Sequence, residues 1–472
     1  MIPAPKEISL LQGQLPVPEK LKLSSSKSIS PDLLSALKLI RASVAEDDTG
    51  TETLLHRFSA LPATDPDTYV LQIDPERITV SASSDNGFRY GFQSLMQLMQ
   101  IHRKAGFIPC QRIIDSPQWS WRGLHLDVSR HFFEPDFVCQ YLDWMASLKL
   151  NKFHWHLTDD QGWRIESKLY PRLTEIGAWR KAEDGSSYGG FYTHAEIHRI
   201  VDHATALGIE VIPELDLPGH CLAVLAAYPQ FACFPKDFEV MNTWGISDDI
   251  LCAGNDEVLS FLKEIFSELA ELFPGRYFHL GGDEAPKARW KACPKCQKRI
   301  VELGLKDEEA LQSWLFRELA AHLKTLGKEV IGWDEILDGE IDSEPLVTVW
   351  RGDGIEADRK AIKNGNRIIL CPNQFLYFDW FQAEAENEPG AFGITTLEKV
   401  YSFELSDYDQ DKSGLILGAQ ANVWTEQMDS PGRVRYMLFP RIYALAELLW
   451  SSSQNRSWSD FQNRLAELES AL

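Results

Sequence analysis

The sequence predicts an α/β protein in which a (β/α)8 TIM barrel follows a small α+β domain, and three observations lead there. After residue 115, eight short apolar runs recur along the chain, most of them followed by a stretch with helical spacing, as βα units and a parallel sheet require. Before that point the pattern differs, with alternating runs and one amphipathic helix. The chain is 472 residues long, well beyond the usual prior of about 150 residues per domain, so more than one unit is expected.

Residues 1–115 form the first unit. Thr68–Ile73 and Arg77–Ala82 alternate apolar with polar residues, as half-buried strands do, and Gly87–Ile101 places its apolar residues at helical spacing. Asp115-Ser-Pro marks the change of pattern, so residues 116–472 are assigned to the barrel. Its eight candidate strands are RGLHLDV from Arg122, NKFHWHL from Asn151, IEVIPEL from Ile209, RYFHLGG from Arg276, KEVIGW from Lys328, LVTVW from Leu346, RIILCP from Arg367 and LILGAQANVW from Leu415. Helices are expected from Glu257, from Glu309 and over Arg433–Trp450. Between the last two strands, Phe381–Gly414 is irregular and acidic, so the helix there is expected to be short or displaced.

Composition narrows the function classes. Acidic residues number 69 against 47 basic ones, for a net charge of −22, and no long Lys/Arg run is present, which argues against nucleic acid as a partner. Charges interrupt every apolar stretch before it reaches the roughly 20 residues of a membrane helix. The first residues, MIPAPKEISLLQGQLPVPE, lack a basic region followed by an apolar run, so no signal peptide is expected in the chain, and a trimmed leader would leave the same start; the compartment and the oligomeric state stay open. Eight cysteines are scattered too widely for a disulfide scaffold. Cys293-Pro-Lys-Cys296 fits a local disulfide or half a zinc site, but no second CxxC or paired His lies nearby, so a plain structural role is favoured and neither metal nor cofactor is expected.

A barrel builds its active site at the C-terminal strand ends, so the residues just past each run matter most. The positions read Asp127 with Arg130, Asp159-Asp160, Glu214 with Asp216 and His220, Asp283-Glu284, Asp334-Glu335, Trp350-Arg351, Tyr377 with Asp379, and Trp424 with Glu426. Helix capping accounts for one or two acids, Asp334-Glu335 among them, but a capping site has no use for an indole. Trp333, Trp350 and Trp424 suit walls against the apolar face of a sugar. His279-Leu-Gly-Gly-Asp283-Glu284 carries the strongest signal. Its glycines admit a close approach, and both acids can face a site only if the strand's regularity breaks. Adjacent carboxylates push their pKa values apart, which suits the proton donor that glycoside hydrolysis needs.

LDVSRHF from Leu126, HLTDDQGWR from His156, PELDLPGH from Pro213, HLGGDE from His279, GWDE from Gly332, YFD from Tyr377 and WTE from Trp424 resemble, in order, the motifs of the β-N-acetylhexosaminidases of glycoside hydrolase family 20. The match spans about residue 115 to 450, and the preceding unit resembles that family's accessory domain. The resemblance implies a retaining exo-enzyme that removes terminal GlcNAc or GalNAc, with the substrate's own acetamido group as nucleophile through an oxazolinium intermediate. It implies Glu284 as general acid and base, Asp283 as the group that orients the acetamide, Tyr377 as donor to its carbonyl, and Trp333, Trp350 and Trp424 as a box around its methyl. It implies Arg130, Asp379 and Glu426 as hydroxyl ligands, and Asp159 with His220 as a relay behind Glu284. Without the resemblance, His220 reads equally well as a turn residue after Pro218-Gly219. Rival readings are a lacto-N-biosidase-like enzyme of the same family and a non-catalytic glycan-binding protein; the second should have lost an acid.

Overall fold

The computed structural model describes residues 1–25, 33–34, 36–37, 50–57, 65–182, 184–384, 390–408 and 414–471. The N-terminal unit is a six-stranded sheet made of β1 (Glu7–Pro16), β2 (Leu21–Ser25), β3 (Thr51–Arg57), β4 (Tyr69–Ile73), β5 (Arg77–Ala82) and β6 (Phe107–Asp115), in the order β1-β6-β4-β5-β3-β2. Helix α1 (Asp85–Ile101) starts at Ser84, whose hydroxyl accepts from Gly87 N, and lays Phe88, Phe92 and Leu95 on Leu71, Ile78 and Val80 of the sheet. The two alternating runs are β4 and β5. Strand β1 has no such alternation, because all but one of its residues from Glu7 to Pro16 are exposed.

All eight expected barrel strands form: β7 (Trp121–Asp127), β8 (Lys152–His156), β9 (Glu210–Glu214), β10 (Tyr277–His279), β11 (Glu329–Trp333), β12 (Leu346–Val349), β13 (Ile368–Leu370) and β14 (Ile416–Ala421). They are parallel and closed, with β14 pairing back onto β7. Helices Asp256–Leu272 and Glu308–Thr325 stand where expected, and between the last two strands the described residues form only short α-helices, Asn373–Leu376 and Leu397–Tyr401. The pattern over Arg433–Trp450 is two helices and not one. Pro431–Leu438 ends and Arg441–Trp450 begins at Pro440, which has no N–H to continue the ladder and whose ring clashes with the preceding turn. Among the described residues no helix is long and apolar enough to cross a membrane.

The barrel interior is layered. At the N-terminal end Trp121, Ile212, Tyr277, Ile331, Leu346 and Ile369 form an apolar plug. Above it the inward positions are polar and buried: His125, His154, His279 and Glu214 pack against Trp333, and His156 packs against His125 and Trp424. The functional end rests on this second layer.

Candidate active site

Sharp backbone turns at two strand ends set up the rim. After β10 the chain turns through Gly281 (φ 66°) and Gly282 (φ 102°), and Glu284 itself lies at φ 44°. A Cβ at residue 281 would sit 1.6 Å from Asp216 Oδ1, so only glycine lets the chain pass Asp216 and carry both acids toward one space. His220, after β9, lies at φ 48°. Left-handed conformations at two non-glycine residues that face each other across the site are strain held by the surrounding packing.

A chain of hydrogen bonds connects the barrel interior to the rim. Glu214 takes His156 Nδ1 at 2.5 Å and Trp333 Nε1 at 2.8 Å, and lies 3.0 Å from both His154 Nε2 and His279 Nδ1. His156 Nε2 donates to Asp159 Oδ2 (3.0 Å), and His220 Nδ1 donates to the other oxygen of Asp159 (3.2 Å). His220 Nε2 then faces Glu284 Oε2 at 3.5 Å and Asp283 Oδ2 at 3.9 Å. Arg130 Nη2 also pairs with Asp159 Oδ2, at 2.9 Å.

The charges follow from these partners. Burial opposes ionisation of Asp159, but Arg130, His220 and the hydrogen bonds from His156 and His220 hold its carboxyl well below the usual range. Burial works against the charged form of His220 too, yet Asp159 and Asp216 keep its pKa well above the ordinary 6.5. His156, placed between two carboxylates, is raised to about 10 despite its burial. Asp283 goes the other way: burial first, then the negative Glu214 and Glu284, lift it to about 6 against the pull of His220. Asp379 is raised well above its ordinary value by burial and by Glu426.

These groups open into a cavity of about 340 Å³, within the range of small-ligand pockets. Arg130, Asp159, His220, Asp283, Glu284, Trp350, Tyr377, Asp379, Trp424 and Glu426 all line it. Trp350 stacks on Tyr377 (centroids 6.0 Å apart, 19° between planes), and Trp424 lies 6.4 Å from Tyr377 with its plane tilted by 50°. Trp333 does not line the cavity. It is 1% exposed and packs beneath Trp424 at 5.8 Å, with its N–H spent on Glu214.

Other rim acids hold the scaffold. Asp127 accepts from Ser129 N and Arg130 N with one oxygen and from Thr425 N and Oγ1 with the other, fastening the end of β7 to the loop after β14. Asp334 caps no helix; it accepts from Trp350 N and Arg351 N at the end of the next strand. Glu335 accepts from Trp350 Nε1, and burial with the nearby Asp283 and Asp334 raises it to about 9. Sequence reasoning assigned no role to Asp216, Asn373, Trp380 and Phe392, which also line the cavity. Asp216 was visible as a strand-end acid, whereas Asn373 opens the four-residue helix Asn373–Leu376 and Trp380 and Phe392 lie on the short strands Trp380–Phe381 and Ala391–Ile394, elements too short to leave a periodic pattern.

The arrangement provides an adjacent acid pair, with Asp283 buried and Glu284 exposed at the cavity, a charged histidine behind it, and aromatic walls beside an arginine and two further carboxylates. Groups of these kinds can donate a proton to an oxygen and hydrogen-bond a small polar ring. Comparison with known proteins points the same way. The model of "Glycosyl hydrolase family 20, catalytic domain" matches residues 119–453, and that of "Glycosyl hydrolase family 20, domain 2" matches residues 1–116. A β-hexosaminidase of Porphyromonas gingivalis is 39% identical over 98% of this chain, which spans 62% of that protein's length. One of Akkermansia muciniphila is 36% identical over 86% of the chain and 84% of its own length. Among solved structures, a Vibrio harveyi GH20 exo-β-N-acetylglucosaminidase in complex with N-acetylglucosamine superposes with a TM-score of 0.88, at 30% identity over 100% of this chain and 77% of that one. A Streptomyces coelicolor β-N-acetylhexosaminidase gives 0.86 at 28% identity, over 100% and 95%. With both family domains matched in order over nearly the whole length, the chain belongs to glycosyl hydrolase family 20.

Proposed function

We propose that this chain is a retaining exo-β-N-acetylhexosaminidase that releases terminal GlcNAc or GalNAc by substrate-assisted catalysis. The observation that carries this reading is the alignment of Asp159, His220 and Glu284 beside Asp283 at the mouth of an aromatic cage.

Glu284 protonates the leaving oxygen. His220, which keeps its own proton, stabilises the carboxylate that Glu284 then becomes, and Asp159 fixes the ring of His220. Asp283 is ionised above about pH 6 and accepts the acetamide N–H, an interaction that strengthens as positive charge develops on the acetamido group. The acetamide oxygen, held next to the anomeric carbon, has a high effective molarity, so no protein nucleophile is needed. Tyr377, whose phenol burial keeps protonated, donates to that oxygen, and Trp350 and Trp424 enclose the methyl. Trp333 supports that cage from below. Arg130, Asp379 and Glu426 take the ring hydroxyls and close the pocket, which favours cleavage at a chain end.

A chromogenic β-GlcNAc glycoside tests this directly. Proton NMR of the first-formed sugar should show the β-anomer, and a thiazoline mimic of the cyclic intermediate should inhibit competitively. An α-anomer as first product, or a glycosyl ester trapped on a carboxylate, would refute the substrate-assisted scheme. Paired GlcNAc and GalNAc glycosides, run beside lacto-N-tetraose, separate hexosaminidase from lacto-N-biosidase activity.

A further inference from the structure

Four thiols converge outside the cavity. Cys293 is the N-cap of helix Pro294–Leu303 and Cys296 lies in its first turn, while Cys233 and Cys252 come from the irregular chain between β9 and helix Asp256–Leu272. Cys252 Sγ is 3.7 Å from the sulfurs of both Cys293 and Cys296, and Cys233 Sγ is 3.8 Å from that of Cys296. All four sulfurs lie within 4.8 Å of one another. A disulfide requires about 2.05 Å. A tetrahedron of thiolates around zinc, with Zn–S near 2.3 Å, has edges of about 3.8 Å, and three of the separations fall on that value.

The surroundings suit a closed structural site. Cys252, Cys293 and Cys296 are buried, and Cys233 is half-buried. The first turn of a ten-residue helix presents backbone amides and the positive end of its dipole to Cys293 and Cys296, which favours thiolates. A Cβ at residue 254 would stand 2.3 Å from Cys296 N, so only glycine lets the Cys252 loop approach the CPKC turn this closely. The sequence argued against a metal because CPKC has no second CxxC or paired His nearby. Folding supplies the other half from 41 and 63 residues away.

We propose that Cys233, Cys252, Cys293 and Cys296 form a tetrathiolate site for one zinc ion that clamps the loop after β9 to the helices after β10. Each thiol that ligates gives up its proton to solvent as its Zn–S bond forms, and no electrons are transferred. The clamp acts where the rim is built. Leu251, next to Cys252, donates its N–H to Pro218 O, two residues before His220, and its carbonyl accepts Trp290 Nε1 from the segment just after Glu284. The zinc therefore holds the relay loop and the acid loop in register. This inference does not depend on the proposed reaction.

The test uses the full chain, expressed in zinc-supplemented medium and purified with a reductant. Elemental analysis should find one zinc per chain, released by a mercurial that titrates thiols. Exchange with Co²⁺ should give thiolate-to-cobalt charge transfer in the near ultraviolet and the intense visible bands of tetrahedral sulfur coordination. C293S/C296S should lose the metal and melt earlier. If that variant fails to accumulate, the cobalt spectrum of the unaltered chain decides the matter. Reduced protein that holds no zinc and shows no cobalt charge transfer, or peptide mapping that finds a disulfide among these four cysteines, would overturn the proposal.

Discussion

Two buried charge clusters, one at the junction of the domains and one at the catalytic rim, use the same chemistry to opposite ends. At the junction Asp115 accepts Tyr69 OH (2.6 Å), Lys149 Nζ (3.0 Å), Trp450 Nε1 (2.9 Å) and the backbone amides of Lys6 and Ser116. Lys149, with no exposed side-chain surface, also lies 4.4 Å above the Trp450 ring. Both oxygens of Asp115 are satisfied. At the rim, Asp283 and Asp379 are nearly as buried, yet each has an oxygen with no hydrogen-bond partner among the described residues, and burial raises both carboxyls. A closed network stabilises the fold, whereas an open one keeps its bonding capacity for a ligand and destabilises the fold to do so.

The contrast can be broken by three substitutions. Glu284→Gln removes the proton donor but no buried partner, so kcat for a poor leaving group should fall by about 10³-fold or more while the melting temperature hardly moves. Full activity in that variant would remove Glu284 from its role. Lys149→Met should do the reverse. It leaves Asp115 buried and without its counter-charge at a cost of roughly 3–5 kcal/mol in denaturant unfolding, with kcat per folded molecule unchanged; a matching loss of kcat would show that the junction is part of the catalytic apparatus.

Asp283→Asn sharpens the comparison by joining both effects in one residue. It should cripple turnover, because the acetamide loses its charged acceptor, and yet stabilise the protein in a pH-dependent way. The folded pKa of about 6 lies above the ordinary 3.8, so the fold favours the neutral acid. The penalty from ionising Asp283 is absent below about pH 4, grows as pH rises toward 6 and is constant above that. The variant's gain in stability over the unaltered chain should therefore be larger at pH 7.5 than at pH 4, by an amount on the order of 2 kcal/mol. An equal difference at both pH values would mean that Asp283 is not held in a strained ionisation state.

Much of the architecture was legible because burial on two faces leaves a local trace. The barrel strands read as apolar runs since helices cover them outside and side chains fill the interior. Strand β1 left no such trace, as its residues face solvent almost throughout, and the Arg433–Trp450 pattern looked continuous because periodicity is blind to the N–H that Pro440 lacks. At the site, strand-end acids and aromatics were readable one by one. That Trp333 would lie under the cage with its N–H on Glu214 was not, since a local motif does not say how deep a side chain sits.

From its order of residues alone, this chain determined the eight parallel strands, most of them followed by a helix, the glycine turn before Asp283 and Glu284, and the set of side chains delivered to one rim. These depend on neighbours a few positions apart. Only the closed tertiary structure decided which groups became partners: the Glu214–His156–Asp159–His220 chain, the raised carboxyl of Asp283, and the meeting of Cys233 and Cys252 with the CPKC turn. Those properties depend on burial and on distances across strands far apart in sequence, which exist only once the barrel has closed.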